Sequence, residues 1–165
     1  CLIPNVVKSV NIPVIAAGGV GNGRAMLAAM ALGADAVQVG SRFVLSEESS
    51  AHINFKERVA AAKEGDTTLT LKELTPVRLI RNKFYEHVEQ AYETCATNEQ
   101  LRELLGRGRA KKGMFEGDLE EGELEIGQVS GYLDDILPAA TILANMLEEF
   151  RQARAELTND ERFGF

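Results

Sequence analysis

Two short apolar segments near the start of the chain, each closed by glycine, constrain the fold more than any other feature. Ile12–Ala17 ends at Gly18-Gly19, and Ala34–Val39 ends at Gly40. Strong helix formers fill the interval between them, and a glycine stands where a C-terminal helix cap belongs. Continuous apolar strands without polar alternation are typical of sheets that are buried on both faces. The order strand, helix, strand therefore predicts a parallel α/β sheet, preceded by an amphipathic helix.

The composition excludes several classes of protein. The 165 residues are 45% hydrophobic and carry a formal net charge of −7, which suits a globular chain with one core. No apolar stretch approaches the roughly 18 residues of a membrane-spanning helix, so we expect a cytoplasmic protein without membrane association. Cys1 and Cys95 lack metal-ligand spacing and indicate free thiols, with no metal site. The acidic balance argues against nucleic-acid binding.

The rest of the chain predicts a mainly helical region with one β-prone segment. Thr67–Lys72 alternates polar and apolar residues, which indicates an edge strand or an extended loop. Ser49 and Ser50 are candidate caps for the first of the predicted helices. These helices cover 46–64, 84–105 and 128–154, the last of them split at Pro138. Segments 107–113 and 117–125 are predicted to be connecting loops.

The two glycine-closed strand ends have the physical character of an anion site. A glycine at the carboxyl end of a parallel strand lets the backbone approach a ligand closely, with amide groups that point towards it. Ser41 adds a hydroxyl donor after Gly40. The loops after the seventh and eighth strands of a (β/α)8 barrel frequently bind phosphate. The alternative is that the glycines only permit tight strand-to-helix turns. The presence of such a turn in two successive units makes this alternative less convincing. The run Gly19–Gly23 lacks the glycine spacing of a dinucleotide fingerprint.

An ordered set of motifs resembles a known enzyme family. The set consists of Ile12–Val20, Gly23-Arg24, Ala31–Phe43, Glu47–His52, Thr75–Asn82 and Gly127–Gly131. In this order the motifs are similar to the C-terminal portion of the FMN-dependent nitronate monooxygenase (2-nitropropane dioxygenase) and enoyl-ACP reductase II family. The similarity covers most of the chain, to about Phe150.

This resemblance implies a fold and a cofactor. Residues 1–65 would form the last two βα units of a flavin-binding TIM (β/α)8 barrel, and 66–165 a mainly helical C-terminal extension that packs on the barrel. FMN would be held non-covalently, with its phosphate on the backbone of Gly18, Gly19, Gly40 and Ser41. Family members often have threonine where this chain has Ser41, and both side chains supply a hydroxyl.

The resemblance also implies an activity, with alternatives that the sequence does not separate. The first is a nitronate monooxygenase, an oxidoreductase in which FMN carries out the redox chemistry on a small-molecule nitronate. The second is an enoyl-ACP reductase II of fatty acid synthesis, in which NAD(P)H reduces FMN and the substrate is an acyl thioester. A third hypothesis, from a different class, is a barrel module that binds phosphorylated ligands without flavin.

No residue of this chain is predicted to be catalytic. The chain starts at Cys1 without a methionine, so we expect the C-terminal portion of a larger enzyme. The resemblance implies that the catalytic histidine and the flavin-ring contacts lie upstream of Cys1. The fragment alone would then be inactive and would need the missing N-terminal part of the barrel, while a homodimer also stays open.

Four further residues and one turn are weaker candidates for contacts with the substrate or the cofactor. His52 is expected to be a surface or capping residue, and His87 an exposed residue of a charged helix. Arg78 and Arg81 could anchor an anionic substrate or the acyl-carrier partner, although structural ion pairs with carboxylates are the more frequent role of such arginines. The turn Gln128–Gly131 could contact the flavin or close the mouth of the barrel.

Overall fold

A computed structural model describes residues 1–159 of the protein, and the chain divides into two compact units. Residues 1–48, together with the described residues from Leu137 onward, form the first unit, and Ser49–Ile136 form the second. This division differs from the predicted domain boundary between residues 65 and 66, and the assignment of 1–65 and 66–165 stays a prediction. Within the described part of the chain, no helix combines the length and the apolar character needed to cross a membrane.

The described residues form helices and short strands in the following order along the chain. They are α1 (Leu2–Ser9), β1 (Ile15–Ala17), α2 (Gly23–Ala31), β2 (Ala36–Gln38), α3 (Ser41–Val44), α4 (Ile53–Ala60), β3 (Thr67–Thr70), β4 (Val77–Ile80), α5 (Lys83–Glu93), α6 (Asn98–Leu105), α7 (Arg109–Met114), a 3-10 helix (Gln128–Tyr132) and α8 (Ala139–Asn159).

The first unit contains the predicted parallel strand pair. β1 pairs with β2 in parallel, with Ile15 opposite Ala36 and Ala17 opposite Gln38. Helix α2 connects the two strands, and it ends before Gly33, whose φ of +103° is the left-handed conformation of a C-terminal cap. The α/β class predicted from the sequence is confirmed by this arrangement.

Burial of the strands on both faces is not observed in the first unit. Ala16 is buried against Ala29 and Ala34, whereas the side chain of Ile15 is 61% exposed. Because successive residues of a strand point to opposite faces, the face that carries Ile15 is uncovered in this unit. The prediction is wrong for the described chain because α1 and α2 cover only one face of β1.

The second unit is built on an antiparallel hairpin with a helical cover. β3 pairs with β4, with Thr67 opposite Ile80 and Thr70 opposite Val77, which confirms a strand at the β-prone segment. A core cluster lies between this hairpin and helices α5 and α6. Its buried members are Leu71, Leu79, Phe84, Val88 and Leu101.

Two of the predicted helices are shorter than their sequence patterns indicate. The helix predicted over 46–64 is only α4, and its N-cap is His52 rather than Ser49 or Ser50. Turns and bends precede it, and Ser46 forms a β-bridge to Leu137. The region 84–105 is divided into α5 and α6 at Cys95, whose φ of +53° ends the first helix.

The predicted loop 107–113 is wrong, because it contains helix α7. This helix is stabilised by packing: Gly113 lies directly against the backbone of Glu123, and Gly122 in turn lies against Gly113. The segment 117–125 contains no helix, as predicted, and the carboxylate of Asp118 accepts hydrogen bonds from the amides of Glu120 and Glu121. The predicted break at Pro138 is confirmed by the start of α8, but the helix predicted before it is wrong except for the 3-10 helix Gln128–Tyr132.

The contact at Gly113 gives a prediction in which packing and helix propensity have opposite signs. Replacing an interior helical glycine with alanine ordinarily stabilises a helix by about 1 kcal/mol. In Gly113→Ala, however, the new Cβ would stand 2.6 Å from the carbonyl oxygen of Glu123. We therefore expect a loss of about 1–3 kcal/mol in the free energy of unfolding, measured by urea unfolding.

The matched control for this prediction is Lys111→Ala in the same helix. Lys111 is exposed and forms an ion pair with Glu116, with 3.0 Å between Nζ and Oε1. Surface pairs of this kind contribute about 0–1 kcal/mol, so the control should change stability little. Stabilisation by Gly113→Ala would show that the backbone contact does not exist in solution.

Candidate functional site

The predicted cofactor residues lie on two turns that leave the parallel strands at the same edge. Ala17 and Gln38 are paired at the carboxyl ends of β1 and β2. Gly18 and Gly19 follow the first strand directly, and Gly40 follows the second after one residue. Ser41 is the first residue of α3. The two turns are therefore neighbours, because adjacent parallel strands end at the same side of a sheet.

The glycines of these turns leave open space above the backbone. Gly18 and Gly19 have φ values of +98° and +72°, a conformation that other residues rarely adopt. A Cβ atom built on Gly18, Gly19 or Gly40 would meet no other described atom within 4 Å. The three positions therefore leave room for a ligand to approach the backbone closely, as an anion site on glycine turns requires.

The turn after β1 continues into a loop that is firmly attached. Val20 is buried at 7% exposure against Ile142 and Met146 of α8. Asn22 caps α2, since its side-chain oxygen accepts a hydrogen bond from the amide of Ala25 at 2.8 Å. The loop therefore has a fixed path from the glycine turn to the helix.

A cavity of about 510 Å³ lies beside the glycine turn that follows β1. It is formed by α1, β1 and α2 and is lined by apolar side chains, including Leu2, Val6 and Leu32, beside Gly18 and Gly19. No charged side chain lines it. Its side chains suit apolar packing, and none of them carries a group that would hold a phosphate.

The sequence and the structure both match a known family. The family model for nitronate monooxygenase matches residues 1–149. The chain belongs to the nitronate monooxygenase family. A probable nitronate monooxygenase of Staphylococcus aureus strain JH9 is 36% identical over 152 residues, which are 92% of this chain and 42% of that protein. The chain thus spans about two fifths of the length of the curated relatives that it matches.

Solved structures agree with this assignment. FabK from Thermotoga maritima is 42% identical, with a TM-score of 0.86 over 95% of this chain and 50% of the FabK chain. Nitroalkane oxidase from Streptomyces ansochromogenes is 31% identical, with a TM-score of 0.75 over 94% of this chain and 44% of that chain. The family predicted from the sequence motifs is confirmed.

The two histidines have structural contacts in the second unit. His52 is the N-cap of α4, where its Nδ1 accepts a hydrogen bond from the amide of Asn54 at 3.2 Å. Its ring also lies against Gly117, where any side chain would overlap it. The predicted capping role is confirmed. His87 lies on α5 and is partly exposed, with Nδ1 3.9 Å from a carboxylate oxygen of Glu121.

Arg78 and Arg81 donate hydrogen bonds to backbone carbonyl oxygens in or beside the β3–β4 hairpin. Arg78 donates to the carbonyl and the hydroxyl oxygens of Thr67, at 3.1 and 3.0 Å. Arg81 donates to the carbonyl oxygen of Gly65 at 3.0 Å. These contacts give both arginines a structural role, through carbonyl oxygens rather than the carboxylates that the sequence suggested.

The Gln128–Gly131 segment is a 3-10 helix whose residues differ in burial. Gln128 is exposed, and Ser130 is fully buried. The hydroxyl of Ser130 has no hydrogen-bond partner among the described residues. Gly131 lies against the backbone of Glu64, which a Cβ would approach to 3.1 Å. This segment packs inside the second unit, and its predicted flavin contact stays a prediction.

Glu123 is a buried carboxyl group that the sequence analysis missed. It is 6% exposed, and its pKa is raised to about 7 by burial, with a further rise from the charge of Glu125 and an opposing effect of Arg109. Nothing in the acidic segment around it sets this glutamate apart. Its backbone packs against Gly113, a contact that no local pattern shows.

The raised pKa predicts a pH-dependent stability. The unfolded chain loses the Glu123 proton near its ordinary pKa of 4.5, whereas the folded chain keeps it until about pH 7. The folded state binds more protons between these values, so the free energy of unfolding falls as pH rises through this window. Glu123→Gln should remove this contribution and gain stability relative to the native protein between about pH 5 and about pH 8.

Urea unfolding at each pH measures this effect. The control is Glu120→Gln, which changes an exposed glutamate of the same loop and should follow the native pH dependence. Identical pH dependence of the native protein and Glu123→Gln would contradict the raised pKa.

Proposed function

We propose that this chain holds the phosphate group of FMN in an oxidoreductase of the nitronate monooxygenase type. The phosphate would bind to the backbone amides of Gly18, Gly19, Gly40 and Ser41, with the Ser41 hydroxyl as a further donor. The observation that carries the proposal is the open, side-chain-free space above both glycine turns at one edge of the parallel pair. A Cβ at these positions would fill the space that the phosphate needs.

The residues of this chain bind and orient the cofactor. FMN, when bound, supplies the redox chemistry of the isoalloxazine ring. The two turns fix one end of the molecule through hydrogen bonds from amide groups to a charged phosphate, which are stronger than hydrogen bonds between neutral groups. No residue of this chain is assigned to the chemical step, and we place the catalytic residues on the part of the relatives that this chain does not match.

We further propose that the first unit contains the last two βα units of a TIM barrel. The exposed Ile15 and the apolar cavity beside Leu2 and Val6 support this, because further barrel strands would cover such surfaces. The relatives extend well beyond the matched segment and have room for those strands. Residues 66–165 would then form the extension, mainly helical apart from strands β3 and β4.

The glycine turns predict the effect of Gly40→Val on cofactor binding. Gly40 has a φ of −103°, which valine adopts without left-handed strain, so the added side chain acts by filling the open space. We expect FMN affinity to fall at least about tenfold, or about 1.4 kcal/mol, in the native polypeptide that contains this chain. Fluorescence titration of the apoprotein with FMN measures the dissociation constant.

His52→Ala is the matched control for this experiment. It removes the N-cap of α4, and we expect a loss of stability of about 1 kcal/mol with unchanged FMN affinity. Equal loss of FMN binding in both variants would show that the site is misplaced. A protein that binds no flavin at all would favour the third hypothesis, a barrel module for other phosphorylated ligands.

A second candidate is an enoyl-ACP reductase II activity that uses NAD(P)H. The observation that favours it is the similarity to FabK from Thermotoga maritima, with 42% identity and a TM-score of 0.86. Both proposals place the FMN phosphate at the same site. They differ in the electron donor, which is the nitronate in the first and NAD(P)H in the second.

Anaerobic reduction of the bound flavin distinguishes the two activities. A nitronate monooxygenase should be reduced by a nitronate and much more slowly by NADH or NADPH. An enoyl-ACP reductase II should show the opposite preference. Absorbance of the flavin during each addition gives the result directly, and rapid bleaching by a pyridine nucleotide alone would exclude the first activity.

A further inference from the structure

We propose that Glu149 on α8 is a positioning residue for the phosphate turn after β1. Its carboxylate holds the start of α2 and thereby fixes the loop that carries Gly18 and Gly19. The inference rests on the proposed function, since it concerns the same phosphate site. It assigns a role in cofactor binding to a helix that begins almost a hundred residues after that site.

The first contact is a hydrogen bond between helices distant in sequence. The amide of Gly23, the first residue of α2, donates to Oε2 of Glu149 at 2.7 Å across 126 positions of the chain. The two helices also touch through their backbones, since a Cβ on Gly23 would overlap the carbonyl oxygen of Met146 and the amide nitrogen of Phe150. The start of α2 therefore has one position relative to α8.

The loop between the glycine turn and α2 is attached to the same helix at a second point. Val20 packs against Ile142 and Met146 of α8. The five residues from Gly19 to Gly23 thus contact α8 near both ends. Displacement of either contact would move the amides of Gly18 and Gly19.

The turn after β2 packs on the same cluster. Val39 precedes Gly40, Phe43 lies in α3, and both side chains are partly buried against Val20, Ile142 and Met146. Helix α8 is therefore a common support for both turns. A ligand that bridges the turns would depend on this helix, although the helix itself need not touch the ligand.

The negative charge of the Glu149 carboxylate also affects where an anion can bind. The amide end of a helix favours negative charge, and the start of α2 would otherwise be a natural phosphate position. The carboxylate of Glu149 already accepts the Gly23 amide there. A second anion at the same amides would be repelled, so the phosphate is directed to the glycine turns.

The test compares FMN with riboflavin, which lacks the phosphate. In the native polypeptide, Glu149→Ala should weaken FMN binding about fivefold to tenfold, or about 1–1.4 kcal/mol, with riboflavin affinity unchanged. Glu149→Gln keeps an acceptor oxygen for the Gly23 amide and should retain most of the FMN affinity. Glu148→Ala, which changes the adjacent exposed residue of the same helix, is the control.

Each outcome separates this inference from the function on which it rests. Loss of FMN binding in Gly40→Val but not in Glu149→Ala would overturn the positioning role and leave the phosphate site intact. Unchanged FMN binding in Gly40→Val would overturn the proposed function itself. Equal loss of FMN and riboflavin in Glu149→Ala would indicate a general structural effect and contradict the inference. If Glu149→Ala does not fold, Glu149→Asp, with its shorter reach, should lose the affinity that Glu149→Gln retains.

Discussion

The close backbone contact between α2 and α8 is the constraint on which the first unit depends. Only glycine at position 23 lets the start of α2 lie on the backbone of α8 at Met146 and Phe150. Any larger residue would separate the helices, expose the buried Val20 and move the loop that follows β1. The shape of the candidate phosphate site is therefore determined by a contact between two segments that are far apart in the sequence, in addition to the local preferences of glycine.

Local patterns predicted the parts of the fold that local physics controls. The order β1, α2, β2 follows from apolar segments and helix formers, and the end of α2 from Gly33. The misassigned segments depend on tertiary contacts. Helix α7 is supported by backbone contact between Gly113 and Glu123, and Ser46, before α4, pairs with Leu137, far away in sequence. No window of neighbouring residues contains that information.

The candidate site likewise combines residues that local patterns reveal with one that depends on a tertiary contact. Gly18, Gly19 and Gly40 are visible in the sequence because glycine after an apolar strand is itself the signal. The cap at Asn22 was also readable, as an asparagine directly before a helix start, although the sequence analysis missed it. Glu149 carries no such signal, since it is one of several exposed glutamates on α8 and its partner lies 126 positions earlier.

The most direct measurement is a crystal structure of the native polypeptide containing this chain, with FMN bound. We expect the phosphate oxygens within hydrogen-bond distance of the amides of Gly18, Gly19, Gly40 and Ser41, with the Gly23 amide still bonded to Glu149. A phosphate bound at the start of α2, with the glycine turns unoccupied, would contradict the account.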